Sequence, residues 1–327
     1  MSFPSGDSGF SGSPFSPEAF EPSYSLPPAR RKFQSRVRLH VLLFLLTLVT
    51  TTFFGTGHYV AFLEDFNRNQ VQLHWGLLLA GLWYSGTILA ILGAHEMGHY
   101  LLCRRYDVDA TLPYFLPAPL PLTGTLGAVI KIREPFPTRK ALFDIGIAGP
   151  IAGFVVLVPA LFVGLNLSQV VPDPTTTDLI SLGEPLLFQW ATSAVFGELP
   201  AGHTINMHPM VFAAWFGMLA TALNLLPFGQ LDGGHITYAA LDRLSTPISL
   251  VTVSGAVIMT FVSSSWIFMT VMMLVMLLTL GPRHPRVIHE DEPIGSARNW
   301  LALVALIILA ICFTPTPIEP YDLIRNP

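Results

Sequence analysis

From residue 39 to residue 314 the chain passes through seven apolar stretches, at 39–62, 75–103, 141–165, 209–228, 247–264, 265–281 and 299–314. A helix of about 20 residues crosses a hydrocarbon layer roughly 30 Å thick, and inside that layer each backbone amide must be satisfied within its own helix or a closed barrel. The pattern predicts an all-α polytopic membrane protein with about seven transmembrane helices, the last three short and the second long or tilted. Composition agrees with this. Of 327 residues, 12% are charged and 51% are hydrophobic, and mean hydropathy is +0.55, whereas about a quarter of the residues in a soluble domain are charged. A net charge of -4 without an extended basic block excludes nucleic acid as the expected partner. Cys103 and Cys312 each adjoin an apolar stretch and supply neither a disulfide framework nor a cysteine metal site.

The few charges orient the chain. Arg30, Arg31, Lys32, Arg36 and Arg38 precede the first stretch, which by the positive-inside rule places the N-terminus in the cytoplasm. Alternation then puts Arg104, Arg105, Lys131, Arg133, Arg139, Lys140, Arg243, Arg283, Arg286 and Arg298 on the same side, leaving Arg68 and Arg325 outside. The segment 166–208 carries Asp173, Asp178, Glu184 and Glu198 with no Lys or Arg, as an external loop should. Its apolar part, 182–196, suits a segment lying on the membrane. Because Arg243 precedes 247–281 and Arg283 and Arg286 follow it, that stretch must cross twice or re-enter, breaking at Ser263-Ser264-Ser265-Trp266. Residues 1–29, rich in Ser and Pro, read as a disordered cytoplasmic tail and not as a secretory signal. Residues 30–245 read as an embedded core, and 246–327 as additional transmembrane helices with a short tail.

The second stretch contains His95-Glu96-Met97-Gly98-His99, an H-E-x-x-H pattern on a predicted helix. Residues four apart lie on one helix face, so both imidazoles reach one zinc ion while the adjacent carboxylate meets its water. An acidic side chain at the centre of a membrane helix costs about 2.5–3.5 kcal/mol on insertion scales, which marks Glu96 as functional or well paired. Nine residues separate His95 from Arg104, a depth of about 13 Å below the cytoplasmic boundary. A catalytic zinc usually takes three protein ligands. The favoured third is Asp232 in NLLPFGQLDGGH at 224–235, at the cytoplasmic end of the fourth stretch, where Pro and Gly break the helix. An Asp-Gly-Gly by itself is an ordinary turn signal.

H-E-x-x-H in a membrane helix, followed by N-x-x-P and L-D-G, resembles the site-2 protease family of intramembrane zinc metalloproteases, peptidase family M50. The intervening GTLGAVIKIREPFPTRKALFDIGIAGPIAGF is similar to the branch of bacterial members and plastid proteases of plants and cyanobacteria. The resemblance covers roughly 75–245. It implies one zinc ion held by His95, His99 and Asp232, with Glu96 as general base and Asn224 holding substrate or the developing oxyanion. It also implies hydrolysis of peptide bonds within or near transmembrane segments of membrane-protein substrates. A bacterial cytoplasmic membrane is the expected location, with the active-site opening on the cytoplasmic side. The 166–208 loop is too short for the PDZ module many members carry, so the branch without one is expected.

Three further features stand out around this pattern. The segment 125–133, TLGAVIKIR, is rich in β-branched residues and reads as a small membrane-associated strand, either an edge that captures extended substrate or an ordinary interfacial hairpin. Prolines at 113, 117, 119 and 121 keep the preceding segment from being helical. Gly149 and Gly153 form a small-xxx-small face for close helix approach, and Asp144 reads as an interfacial acid near a helix N-terminus. A divalent-metal transporter would also place His and Asp at membrane depth. Hydrolysis, and not transport, demands a Glu between the two ligands, and a catalytically inactive scaffold need not keep every group. Nothing in the sequence specifies an oligomeric state.

Overall fold

The computed structural model describes residues 32–174, 180–281, 284–290 and 292–320. The expected tail over 1–29 lies outside the described residues, as do Arg30, Arg31, Asp178, Arg283 and Arg325. Ten α-helices are described: α1 Val37–Glu64, α2 Gly76–Ala80, α3 Leu82–Arg105, α4 Arg139–Asn166, α5 Leu186–Phe196, α6 Pro209–Leu225, α7 Asp232–Leu241, α8 Ser245–Met259, α9 Trp266–Leu280 and α10 Ser296–Cys312. Three segments are long and apolar enough to cross a membrane: Val37–Glu64, Gly76–Arg105 and Arg139–Asn166. The remaining apolar stretches form shorter helices. Pro227 accounts for one of them, since it forces the preceding Leu226 into extended backbone (ψ 132°) and so ends α6 at Leu225. The chain breaks between Met259 and Trp266, with Ser263, Ser264 and Ser265 in the break where the charge pattern requires it.

Helix α4 is central, with α3, α5, α6, α7 and α10 against it. Ile91 of α3, Leu157 and Leu161 of α4, and Trp215 and Met218 of α6 share one buried cluster. In lipid, helices gain little by hiding apolar groups from an equally apolar medium, so close packing and polar contacts hold them together. Helix α1 shows the resulting inversion. It exposes Val41, Leu45, Val49 and Phe53 and buries Thr47, Thr51 and Gly55 at four-residue spacing. The Thr47 and Thr51 hydroxyls donate to the carbonyls of Leu43 and Thr47 at 2.8 and 2.7 Å, so neither is left unsatisfied. A methyl group on Gly55 would meet Tyr84 Cβ at 2.8 Å, and only glycine allows the two helices this close.

Between α3 and α4 the chain forms an antiparallel hairpin, β1 (Tyr114–Pro117) with β2 (Thr125–Val129), pairing Tyr114 with Val129 and Phe115 with Ala128. An isolated bridge from Ala110 to Ile132 prolongs it. His40 Nδ1 donates to the Pro113 carbonyl at 3.0 Å and the Thr50 hydroxyl to the Gly124 carbonyl at 2.7 Å, tying the hairpin to α1.

The expectation of a single β element is corrected by two further antiparallel pairs. They join β3 (Gln169–Pro172) to β5 (His203–Asn206) and β4 (Ile180–Leu182) to β6 (Ile318–Pro320). These strands are three or four residues long and their partners are distant in sequence, so no local alternation announces them. Between β4 and β5, α5 buries Leu187, Phe188 and Ala191 in the main cluster, while Trp190 remains 58% exposed. The Trp215 indole N–H donates to the Gly183 carbonyl at 2.7 Å and fastens this segment to α6.

Candidate metal centre

Helix α3 presents His95 and His99 one turn apart, both buried, with the two Nε2 atoms 3.1 Å from each other. The loop after α6 turns back so that α7 begins with Asp232. Its Oδ2 lies 3.1 Å from His95 Nε2 and its Oδ1 3.3 Å from His99 Nε2. The turn is tight enough to demand the two glycines that follow. A methyl group on Gly233 would overlap the Leu225 carbonyl, and one on Gly234 the Gly229 carbonyl. Asp-Gly-Gly is therefore both a turn and the delivery of a carboxylate to the histidines.

These three residues form a group able to hold a metal ion. Their donor chemistry fits zinc, which takes imidazole nitrogen and carboxylate oxygen at about 2.0–2.2 Å. Tetrahedral ligands at those bond lengths stand roughly 3.3–3.4 Å apart; here the two histidine nitrogens are 3.1 Å apart, and each faces a different oxygen of Asp232, at 3.1 and 3.3 Å. The protonation of His99 is set by its neighbour. Its Nδ1–H donates to the Ile145 carbonyl at 2.7 Å, which leaves the Nε2 lone pair directed at the cluster.

Glu96 is buried on the same helix, with Oε1 4.0 Å from His95 Nε2, and the backbone amide of Ile130 lies against its carboxylate. Asn224 lies in the last turn of α6 with its Nδ2 3.4 Å from His95 Nε2. The five residues singled out by the motifs, His95, Glu96, His99, Asn224 and Asp232, are thus brought together from α3, α6 and α7.

Helix α4 makes the close approach. A methyl group on Gly149 would overlap the His99 imidazole, one on Gly153 would meet His95 Cβ at 3.2 Å, and one on Gly98 would overlap the Ala148 carbonyl. The four-residue spacing of Gly149 and Gly153 matches that of the two histidines, so each glycine faces one ring. Pro150 lacks an N–H and withdraws the helical donor from the Gly146 carbonyl. The ladder of α4 is weakened in the turn from which Ile145 reaches His99.

Two features beside the metal cluster escaped the motifs. Asp144 is clamped by Arg298 of α10, Nε to Oδ1 and Nη2 to Oδ2 both at 2.7 Å, and also accepts from the Tyr106 hydroxyl. His235 Nδ1 lies 2.6 Å from His284 Nε2. Because His284 Nδ1 donates to the Pro285 carbonyl at 2.6 Å, its Nε2 accepts from His235. Burial holds His284 below the usual histidine range, consistent with a neutral pair. Neither partner could be read from local sequence, since both contacts join distant segments.

The family model described as Peptidase family M50 matches residues 83–267, more than half of the chain. The chain is 27% identical over 304 residues to "Probable zinc metalloprotease EGY1, chloroplastic" of Arabidopsis thaliana, covering 84% of this chain and 52% of the relative. It is 29% identical over 250 residues to "Probable zinc metalloprotease EGY2, chloroplastic" of Oryza sativa subsp. indica, covering 76% and 45%. To "Probable zinc metalloprotease EGY3, chloroplastic" of the same rice it is 30% identical over 247 residues, covering 69% and 41%. The chain spans about half the length of the curated relatives it matches. No solved structure matches it.

Proposed function

The chain belongs to peptidase family M50, and from that premise we propose that it is a zinc-dependent intramembrane endopeptidase that cuts membrane proteins within or beside their transmembrane segments. The observation that carries this is the triangle of His95, His99 and Asp232 donor atoms with the Glu96 carboxylate beside it. Transport of a divalent metal would need the triangle alone. The relatives that carry zinc metalloprotease in their names support the metal.

His95, His99 and Asp232 would hold zinc, which when bound supplies Lewis-acid polarisation of the scissile carbonyl and a more acidic water. Glu96 takes a proton from the attacking water and passes it to the leaving amine. Asn224 holds the substrate backbone or the developing oxyanion from the opposite wall. A substrate helix has its amides bonded internally and must unwind locally before attack. We assign its extended form to the free edge of β2, a reading supported by the Ile130 amide at Glu96 and by β2 pairing with β1 alone among the described residues.

The proposal keeps about seven membrane passages, with a protease core over 30–245 and additional helices over 246–327. The fifteen residues of α8 and of α9 span about 22 Å each, so they cross only where the bilayer is thinned, or enter together as a hairpin. The N-terminus and the opening of the site face the cytoplasm of a bacterial cell. The chloroplast location in the relatives' names is theirs.

The test is Glu96→Gln in the full chain, reconstituted with a single-span membrane substrate. Cleavage is expected to fall by about 10²–10⁴-fold while zinc content stays at one ion per chain. Undiminished cleavage removes Glu96 from the mechanism, and a variant that carries metal flux with no cleavage in the parent chain establishes the transporter instead.

A further inference from the structure

We infer that Arg298, at the start of α10 and beyond the stretch matched by the family, is a positioning residue for the metal centre, acting through Asp144 on the turn of α4 that orients His99. The inference rests on the reading of His95, His99 and Asp232 as zinc ligands. Both arms of the Arg298 guanidinium engage the Asp144 carboxylate at 2.7 Å, the two-pronged geometry that fixes direction as well as distance. Nη1 also donates to the Ile294 carbonyl at 3.0 Å, so the guanidinium is held from its own side. The Tyr106 hydroxyl, on the residue that caps α3, donates to the same carboxylate. Asp144 therefore joins the end of the histidine-bearing helix, the start of α4 and the last of the described helices, α10.

The next residue along α4 is Ile145, whose carbonyl accepts from His99 Nδ1. A group that fixes the outer nitrogen of a ligating histidine sets both its tautomer and the direction of its lone pair. In this turn the helix cannot do so unaided, because Pro150 leaves the neighbouring Gly146 carbonyl without a helical donor. The Arg298–Asp144 pair supplies the missing constraint, so the precision of the metal site depends on a helix that contributes no ligand to it.

The parent chain is compared with Arg298→Ala, Arg298→Lys, Asp144→Ala and the Arg298→Ala/Asp144→Ala double variant, measuring zinc affinity by chelator competition, the visible spectrum after Co²⁺ substitution, and thermal unfolding. Arg298→Ala is expected to weaken zinc binding about tenfold, within the range for outer partners of metal ligands, and to shift the Co²⁺ bands. Arg298→Lys should recover only part of this, since an ammonium cannot make the two-pronged contact. The double variant should bind no worse than Asp144→Ala alone. A lower unfolding temperature with unchanged zinc affinity and Co²⁺ spectrum in the folded fraction makes Arg298 a plain staple for α10 and overturns the inference. If the parent chain binds neither Zn²⁺ nor Co²⁺, the zinc reading fails and the inference with it.

Discussion

Helices α3 and α4 and the hairpin of α8 and α9 are both apolar, yet they are built on opposite terms. In the first pair the meeting surface is small and polar: Gly98, Gly149 and Gly153 let backbones and imidazoles into contact, and His95, Glu96 and His99 are all buried. In the hairpin the meeting surface is large and soft, with Met269 and Met273 buried beside Trp266 and Val253. Its glycine, Gly255, faces open space. The hairpin also exposes Ile267, Phe268, Val271 and Val275, side chains as apolar as those it buries. In a lipid medium hydropathy does not separate inside from outside. The separation comes from where small residues permit close approach and where polar groups find partners.

The comparison is broken most severely by giving α4 one methyl group. Gly149→Ala places that group in the His99 ring, so α4 must retreat from the ligands, and zinc affinity should fall by about 100-fold, the upper end for groups that position a ligand, with loss of cleavage. Chelator competition measures it, and wild-type affinity would show that the approach of α4 to the histidines is not required. Next in size is Met273→Ala, a deletion of a fully buried side chain in the hairpin. It should lower unfolding stability by about 2–5 kcal/mol, toward the lower end because in lipid the loss is mainly one of packing, and leave zinc binding unchanged. Loss of metal in that variant would show the two regions to be coupled. The smallest effect belongs to Gly255→Ala, which meets no neighbour. It should be neutral, or stabilising by up to about 1 kcal/mol through helix propensity, as read by thermal unfolding.

Much of the site was legible because it is local. The i, i+4 spacing of His95 and His99 puts both rings on one face of any helix that forms there, and Gly149 and Gly153 repeat the same spacing on the helix that meets it. The serine break between α8 and α9 was legible from charge, since the positive-inside rule assigns Arg243 and Arg286 to the same side. Other features carried no local mark. Asp144 looked like an interfacial acid, and its partner Arg298 stands 154 residues away. The strands β4 and β6 are three residues each and pair across most of the C-terminal half of the chain. Apolar runs predicted about seven spans, whereas three described segments reach spanning length, because an apolar run does not reveal how much of itself the helix takes up: α6, α8, α9 and α10 run 15 to 17 residues.

The sequence by itself determined that this chain builds apolar helices and that one of them carries His95, Glu96 and His99 on a shared face. Both follow from periodicities of a few residues. Only the tertiary structure decided that Asp232 arrives within 3.1 and 3.3 Å of those histidines, that Asn224 closes the site across 129 residues from His95, and that Arg298 reaches Asp144 behind it. Such contacts depend on how closely helices pack and how a loop returns, which are properties of the whole assembled chain.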